Sequence, residues 1–281
     1  MDVAKVSGVE RIASIRLNVA DIGRAVEFYG AGLGFTLEKK RASGASMSLG
    51  GEHLDLVQAP SGAAPYPSER AANDPWFQHF AIRVSDMEAA YHCLLGQQPT
   101  PISVGGPQQL PPSSGSVIAF KFRDPDGHPL ELSFIPGEAS PEASAPLFEA
   151  IDHTALAVAN LEKSLAFWVG LLGFRETGRS LNQGPTQWRL DELTGALAEI
   201  VVLHAPRGGP HLELLHYRKP TSERSARRFA PEDIAATRVR LCAAPGFAAS
   251  AALAQWEVRA GSAEPLLLLA DPDDHLVELS M

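Results

Sequence analysis

A chain of 281 residues with 45% hydrophobic and 20% charged side chains has the make-up of an ordinary globular protein, which excludes a disordered or fibrous one. Its formal net charge of -9 repels polyanions and gives no global electrostatic reason to bind nucleic acid. No apolar run reaches the roughly 18 residues of a membrane span, and MDVAKVSGVERIASIRL at the N-terminus lacks an apolar core followed by a small-residue cleavage site, so a cytoplasmic protein is expected.

Residues 12–35, IASIRLNVADIGRAVEFYGAGLGF, begin with alternating apolar positions that predict a strand. Asp21 then stands where a helix N-cap belongs, and an amphipathic helix runs on to a glycine. This opens a first unit over 10–58, followed by a Pro/Gly/Ser-rich linker, APSGAAPYPSERAANDP, at 59–75. A second unit over 76–136 starts with HFAIRVSDMEAAYHCLLGQ (79–97), again strand then helix, and ends with FRDPDGHPLELSF (122–134), a tight turn feeding a final strand. The stretch 137–147 reads as a linker dividing an N-terminal half, 1–136, from a C-terminal half, 148–281. Beyond it, IDHTALAVANLEKSLAFWVGLLGF (151–174) aligns with 12–35 without a gap, Asn160 standing for Asp21, and opens a third unit over 148–217. Arg218 to Arg228 is a short basic cluster with Glu223 inside it and reads as a solvated connector. The fourth unit, 232–281, repeats the second: ATRVRLCAAPGFAASAALAQ (236–255) predicts strand then helix, and LADPDDHLVELSM (269–281) repeats the closing turn and strand. The chain is one unit written four times. Cys93 and Cys242 have no metal-binding spacing and are expected to be buried spectators.

Strand–helix–strand units that open on His-x-x-x-x-Val-x-Asp/Asn, Phe-Tyr and Leu-Gly-Phe, and close on Asp-Pro-Asp-Gly-His-x-x-Glu-Leu, resemble the vicinal oxygen chelate superfamily. That superfamily includes glyoxalase I, methylmalonyl-CoA epimerase, extradiol dioxygenases and the bleomycin and fosfomycin resistance proteins. The resemblance implies an α+β fold in which four βαβββ modules form two cup-shaped half-barrel sheets. It also implies that metal ligands come from the first and last strands of each module. Carried over residue by residue, these positions are Ser14 and Asp55, His79 and Glu131, His153 and Glu213, Ala236 and Glu278. Consecutive pairing of modules, as in proteins resembling extradiol dioxygenases, leaves both cups incomplete. Pairing inner with inner and outer with outer, as in fused glyoxalases, gathers His79, Glu131, His153 and Glu213 in one cup. The inner pairing is preferred because the inner modules carry the longer insertions, and extra loop length tends to sit where function is built. In the outer cup, Arg16, Arg238 and Arg240 are expected to balance Asp55 and Glu278.

Two imidazoles and two carboxylates suit one divalent ion such as zinc, nickel, cobalt, manganese or iron(II). The resemblance then implies a glyoxalase-like isomerase or lyase acting on a small substrate with neighbouring oxygens through an enediolate-type intermediate. Glu131 or Glu213 is the candidate base, and His211, two residues before Glu213 and so on the same strand face, is the candidate proton-transfer group. An iron(II) ring-cleaving dioxygenase is the alternative enzyme. A non-catalytic binding or resistance protein is the alternative outside catalysis, with Trp76, Phe77, Trp188 and Phe229 as its candidate cleft aromatics. The expected partner is a small molecule, and the expected assembly a monomer or homodimer.

Overall fold

The structure is a computed structural model that describes residues 8–137, 146–224, 227–245, 247, 258–260 and 266–280. Two sheets divide the four modules. One runs in the order Val258–Ala260, Leu266–Ala270, Leu276–Ser280, Arg238–Ala243, Val9–Val19, Glu52–Gln58, Gly44–Leu49 and Thr36–Arg41, and so joins modules one and four. The other runs Arg175–Gln183, Leu197–His204, His211–Lys219, Phe148–Ala157, Gln78–Val84, Pro129–Phe134, Ile118–Arg123 and Thr100–Pro101, joining modules three and two. The inner modules therefore share one sheet and the outer modules the other. Each sheet takes one module from either side of the stretch 137–147.

Within a module the first strand lies parallel to the last; in modules one to three a helix and further strands between them carry the chain back across the sheet. Between modules the two first strands run antiparallel. Strand alternation then decides what faces where. Phe80, Ile82 and Val84 point into a core that residues of both sheets and their helices share, while His79, Ala81 and Arg83 take the opposite face.

The helices begin where the sequence places them. Asp21 accepts from the Arg24 amide at 2.9 Å, Asp86 from Ala89 at 3.0 Å and Asn160 from Lys163 at 3.0 Å. The glycines of the two Leu-Gly-Phe sequences, Gly34 and Gly173, adopt φ of 72° and 83°, a left-handed turn that other residues resist. At Gly34 an added Cβ would also lie 3.2 Å from the Phe148 ring, so module one approaches module three closely there. The helix expected within 236–255 lies largely outside the described residues.

The two Asp-Pro-Asp turns fasten one sheet to the other. Asp124 turns one oxygen back to the amides of Asp126 (2.9 Å) and His128 (2.8 Å). Its other oxygen accepts from the Tyr29 hydroxyl of module one and faces His128 Nδ1, both at 2.9 Å. His128 Nε2 meets the carbonyl of Ile234 in module four at 3.2 Å. In the counterpart turn, Asp271 accepts from Trp168 Nε1 of module three at 3.4 Å, and His275 Nε2 meets the Ala157 carbonyl at 2.9 Å. Both faces of His128 thus look onto acceptors, which an imidazolium satisfies with two N–H groups. Burial alone would lower its pKa, but Asp124 outweighs burial and the net direction is upward; Asp124 is likewise raised by burial and pulled below its ordinary value by His128.

His128 contributes stability below about pH 6.5 that is lost as pH rises through its higher folded pKa, and Asp124 contributes stability above about pH 4 that is lost on acidification. We expect the melting temperature to decline from pH 6 towards pH 9 less in His128→Gln than in the parent. An identical alkaline decline in the two proteins would remove His128 as its source.

Candidate metal centre

The two antiparallel first strands of the inner sheet set His79 opposite Ala155 and His153 opposite Ala81. The parallel last strands then bring Glu131 into register with Ala81, and Glu213 with Ala155. One face of the sheet consequently carries all four side chains, two imidazoles diagonal to each other with a carboxylate beside each. His79 Nε2 lies 3.4 Å from Glu131 Oε2, His153 Nε2 lies 3.8 Å from Glu213 Oε2, and the two rings are 5.7 Å apart. The four line a cavity of about 400 Å³. His211 joins them there, its Nε2 3.4 Å from Glu213 Oε1, and its ring stands between those of His153 (5.0 Å) and His204 (5.3 Å).

His79 is 2% exposed, and neither ring nitrogen has a hydrogen-bond partner. Buried polar atoms are rarely left so, because the desolvation cost goes unrecovered. Burial, and then the Lys121 ammonium, lower the His79 pKa and keep the ring neutral, the form that ligates. The donor atoms of His79, Glu131 and His153 fall within 4.8 Å of one another. These residues fit a borderline divalent ion by donor type and by the unsatisfied imidazole. His153 differs from His79: burial would lower its pKa, but Glu213 and Asp152 raise it to about 9. Asp152 Oδ2 meets His153 Nδ1 at 2.9 Å, which fixes the orientation of the ring. Burial would raise Glu213 and Asp152, yet the histidines beside them hold each at about 2, and Glu131 is held low by His79 and Lys121.

A buried polar cluster beside the cavity escaped the sequence reading. Lys121, 3% exposed, faces Glu131 across adjacent strands and places Nζ 2.6 Å from Asp191 Oδ1 and 3.8 Å from Glu131 Oε2. Asp191 ends the helix Pro185–Asp191, and its second oxygen accepts from Gln187 Nε2 (2.7 Å) and the Tyr217 hydroxyl (3.0 Å). Burial would discharge Lys121, but Asp191 and Glu131 outweigh it and keep the ammonium charged. The signal for Lys121 is its place in IAFKFR, a cation in a strand whose neighbours are buried. The insertions of the inner modules close over the same space: Leu110, Ser113 and Ser114 come from module two and Asn182, Gln187 and Leu190 from module three.

Two expectations are corrected. The proposed cleft aromatics are core: Trp76 packs edge-on against Phe229 at 5.8 Å, and Phe77 and Trp188 belong to a separate apolar cluster. Nor are the cysteines buried: Cys93 is exposed and Cys242 half-buried, Cys93 falling off the helix face that Met87, Ala90 and Leu94 bury.

The outer sheet repeats the plan with other residues. Glu278 is in register with Arg240, as Glu131 is with Ala81, so the place of His79 is taken by Arg238. The sequence assignment of Ala236 to that place is two residues out, a slip that keeps the strand face and so leaves the pattern of apolar positions unchanged. Arg238 Nη1 lies 2.8 Å from Glu278 Oε1, Arg16 Nη1 lies 3.1 Å from the same oxygen, and Arg238 Nη2 donates to Asn18 at 2.6 Å. Ser14 donates to Asp55 at 2.7 Å, with Arg240 Nη1 at 3.7 Å from that carboxylate. Arginine and serine therefore occupy the places where the inner cup has histidines. Arg238→Ala is expected to destabilise the fold by about 3 kcal/mol, the low end for breaking a buried pair because Arg16 remains on Glu278. Denaturant unfolding measures that loss, and elemental analysis should show unchanged inner-cup metal; parent-like stability would make the pair a surface-type contact.

A family model described as the Glyoxalase/Bleomycin resistance protein/Dioxygenase superfamily matches residues 11–132 and 150–279. No curated protein matches the chain by sequence. Among solved structures, glyoxalase I from Zea mays is similar at 19% identity and a TM-score of 0.66, over 96% of this chain and 92% of the maize chain. A presumed dioxygenase from Bacillus subtilis is similar at 13% identity and a TM-score of 0.63, over 97% of this chain and 85% of its own. At such identities the likeness is one of fold.

Proposed function

Because the chain belongs to the glyoxalase/bleomycin resistance protein/dioxygenase superfamily, we propose that its inner cup holds one divalent ion and performs a glyoxalase-like isomerase or lyase reaction on a small substrate with neighbouring oxygens. The observation that carries this reading is the buried, unpartnered imidazole of His79 set beside Glu131 and His153. His79, Glu131, His153 and Glu213 would hold zinc, nickel, cobalt, manganese or iron(II). Such an ion supplies Lewis-acid stabilisation of negative charge developing on substrate oxygens.

The remaining chemistry belongs to the side chains. Glu131 or Glu213 takes a proton from the hydroxyl-bearing carbon beside a substrate carbonyl and returns it to the former carbonyl carbon, while the hydroxyl proton passes to the former carbonyl oxygen. His211, 3.4 Å from Glu213 Oε1 and half-buried, exchanges protons between that carboxylate and solvent. Lys121 keeps an ammonium beside Glu131, and Asp152 holds the His153 ring in one orientation. The cavity volume suits a small ligand, with Leu110, Val117, Ile135 and Ile200 giving it an apolar wall.

One observation favours a second reading. The inner donor group, His79, Glu131 and His153, is two imidazoles and one carboxylate, the set used by iron(II) ring-cleaving dioxygenases. Elemental analysis of the purified protein, followed by incubation in deuterated water with hydroxy-carbonyl substrates, separates the two. The glyoxalase-like reading expects deuterium at the carbon beside the carbonyl and no oxygen uptake with catechol. Oxygen uptake without exchange would replace it with the dioxygenase, and a metal-free protein that still binds a planar ligand would replace both with a binding role.

A further inference from the structure

We propose a second, weaker divalent-metal site at the rim of the inner cup, built from Asp152, Nδ1 of His153 and His211. It deepens the reading above, because His153 would serve the inner ion through Nε2 and the rim ion through Nδ1. An imidazole has two ligating nitrogens on opposite edges of one ring. In His153 these edges look different ways: Nε2 towards Glu213 at 3.8 Å and Nδ1 towards Asp152 at 2.9 Å. The ligand atoms of Asp152, His153 and His211 lie within 4.8 Å of one another, as tight a group as the inner one. All three residues line the cavity, and the side chains of Asp152 and His211 are 15% and 19% exposed, against 2% for His79. An ion entering from solvent therefore reaches the rim donors first.

Donor type selects the occupant. Two imidazole nitrogens and one carboxylate oxygen suit zinc, cobalt or nickel, whereas magnesium and calcium require more oxygens. Three features make this site the weaker one. Arg83 Nη1 stands 3.8 Å from Asp152 Oδ1, the inner ion repels a second cation through the shared ring, and binding must displace the Nδ1 proton to solvent. Occupation of the rim draws His211 away from Glu213 and removes the Asp152 acceptor from His153. Excess metal would thus oppose the proton-transfer step that His211 serves.

The test is a calorimetric titration of metal-free protein with cobalt(II), with bound cobalt counted by elemental analysis. The parent should bind two equivalents, the second at least about tenfold more weakly, a factor set by like-charge repulsion and proton displacement. His211→Asn should bind one, tightly. Asp152→Asn, whose amide oxygen still accepts from Nδ1, should also lose the second equivalent and serves if the His211 variant does not fold. Magnesium should displace neither ion. A single equivalent in the parent, or a second that persists in both variants, overturns the rim site and leaves the inner site standing. No tight equivalent at all overturns the inner site and the rim site with it.

Discussion

Glu131→Ala or His153→Ala will strip the inner cup of metal, while Glu278→Ala, the matching change in the outer sheet, will leave occupancy as it was. Each of the two inner-cup changes removes a donor of the inner group. Beside Glu131 stands the Lys121 ammonium at 3.8 Å, a cation that cannot ligate, and the Asp152 carboxylate lies on the other edge of His153. Losing a partner outside the ligand shell commonly costs about 10–100-fold in affinity, so losing a ligand should exceed about 100-fold. Glu278→Ala instead leaves Arg16 and Arg238 without their shared anion and should lower stability only. The check is the metal-to-protein ratio after dialysis, with circular dichroism to confirm folding. Equal metal loss in Glu278→Ala would place the ion in the outer sheet and overturn the inner site.

Asp191→Ala should produce the largest loss of stability, about 3–5 kcal/mol, the cost of leaving a buried charge without its partner. The Asp191 side chain is fully enclosed, and three donors from three elements converge on it: Lys121, Gln187 and Tyr217. Alanine would leave Lys121 with Glu131 as its remaining anion at 3.8 Å. The released ammonium would then compete with metal for that carboxylate, so metal affinity should fall as well. Asp191→Asn keeps an acceptor but sets one amide N–H₂ against another at Gln187, and about 1–3 kcal/mol is expected. Urea unfolding of both variants decides it; a loss below about 1 kcal/mol for alanine would mean that the cluster is solvated.

What the sequence made legible was whatever repeats. The gapless match of 12–35 with 151–174 carries the capped helix and the left-handed glycine, both local requirements of the chain. Strand alternation carries the sidedness of His79, His153 and the arginines, since residues two apart must share a face. The choice of which modules share a sheet came from elsewhere: the His and Glu residues and the longer insertions concentrate in the inner modules, and the resemblance supplies the pairings to choose between. Depth along a strand was less legible, as the displacement from Ala236 to Arg238 shows, because a slip of two preserves every apolar position. Least legible were contacts made by a single copy. Asp191 meets Lys121 across 70 residues, through a helix that the repeat does not contain. The role of His128 as a link between sheets was hidden for a related reason: its local turn explains the residue fully until Tyr29 and Ile234 are seen beside it.

The sharing of sheets also sets an order of events during synthesis. Every strand of the inner sheet comes from one continuous stretch, 78–219, so that sheet can close before module four has been made. The outer sheet must wait, because Val9–Val19 pairs with Arg238–Ala243 near the other end of the chain. Until then the first strand emerges early and keeps an unpaired edge, the kind of surface that recruits other chains. Chains stalled after residue 224 should accordingly resist proteolysis between 78 and 219 while remaining prone to self-association through residues 9–19.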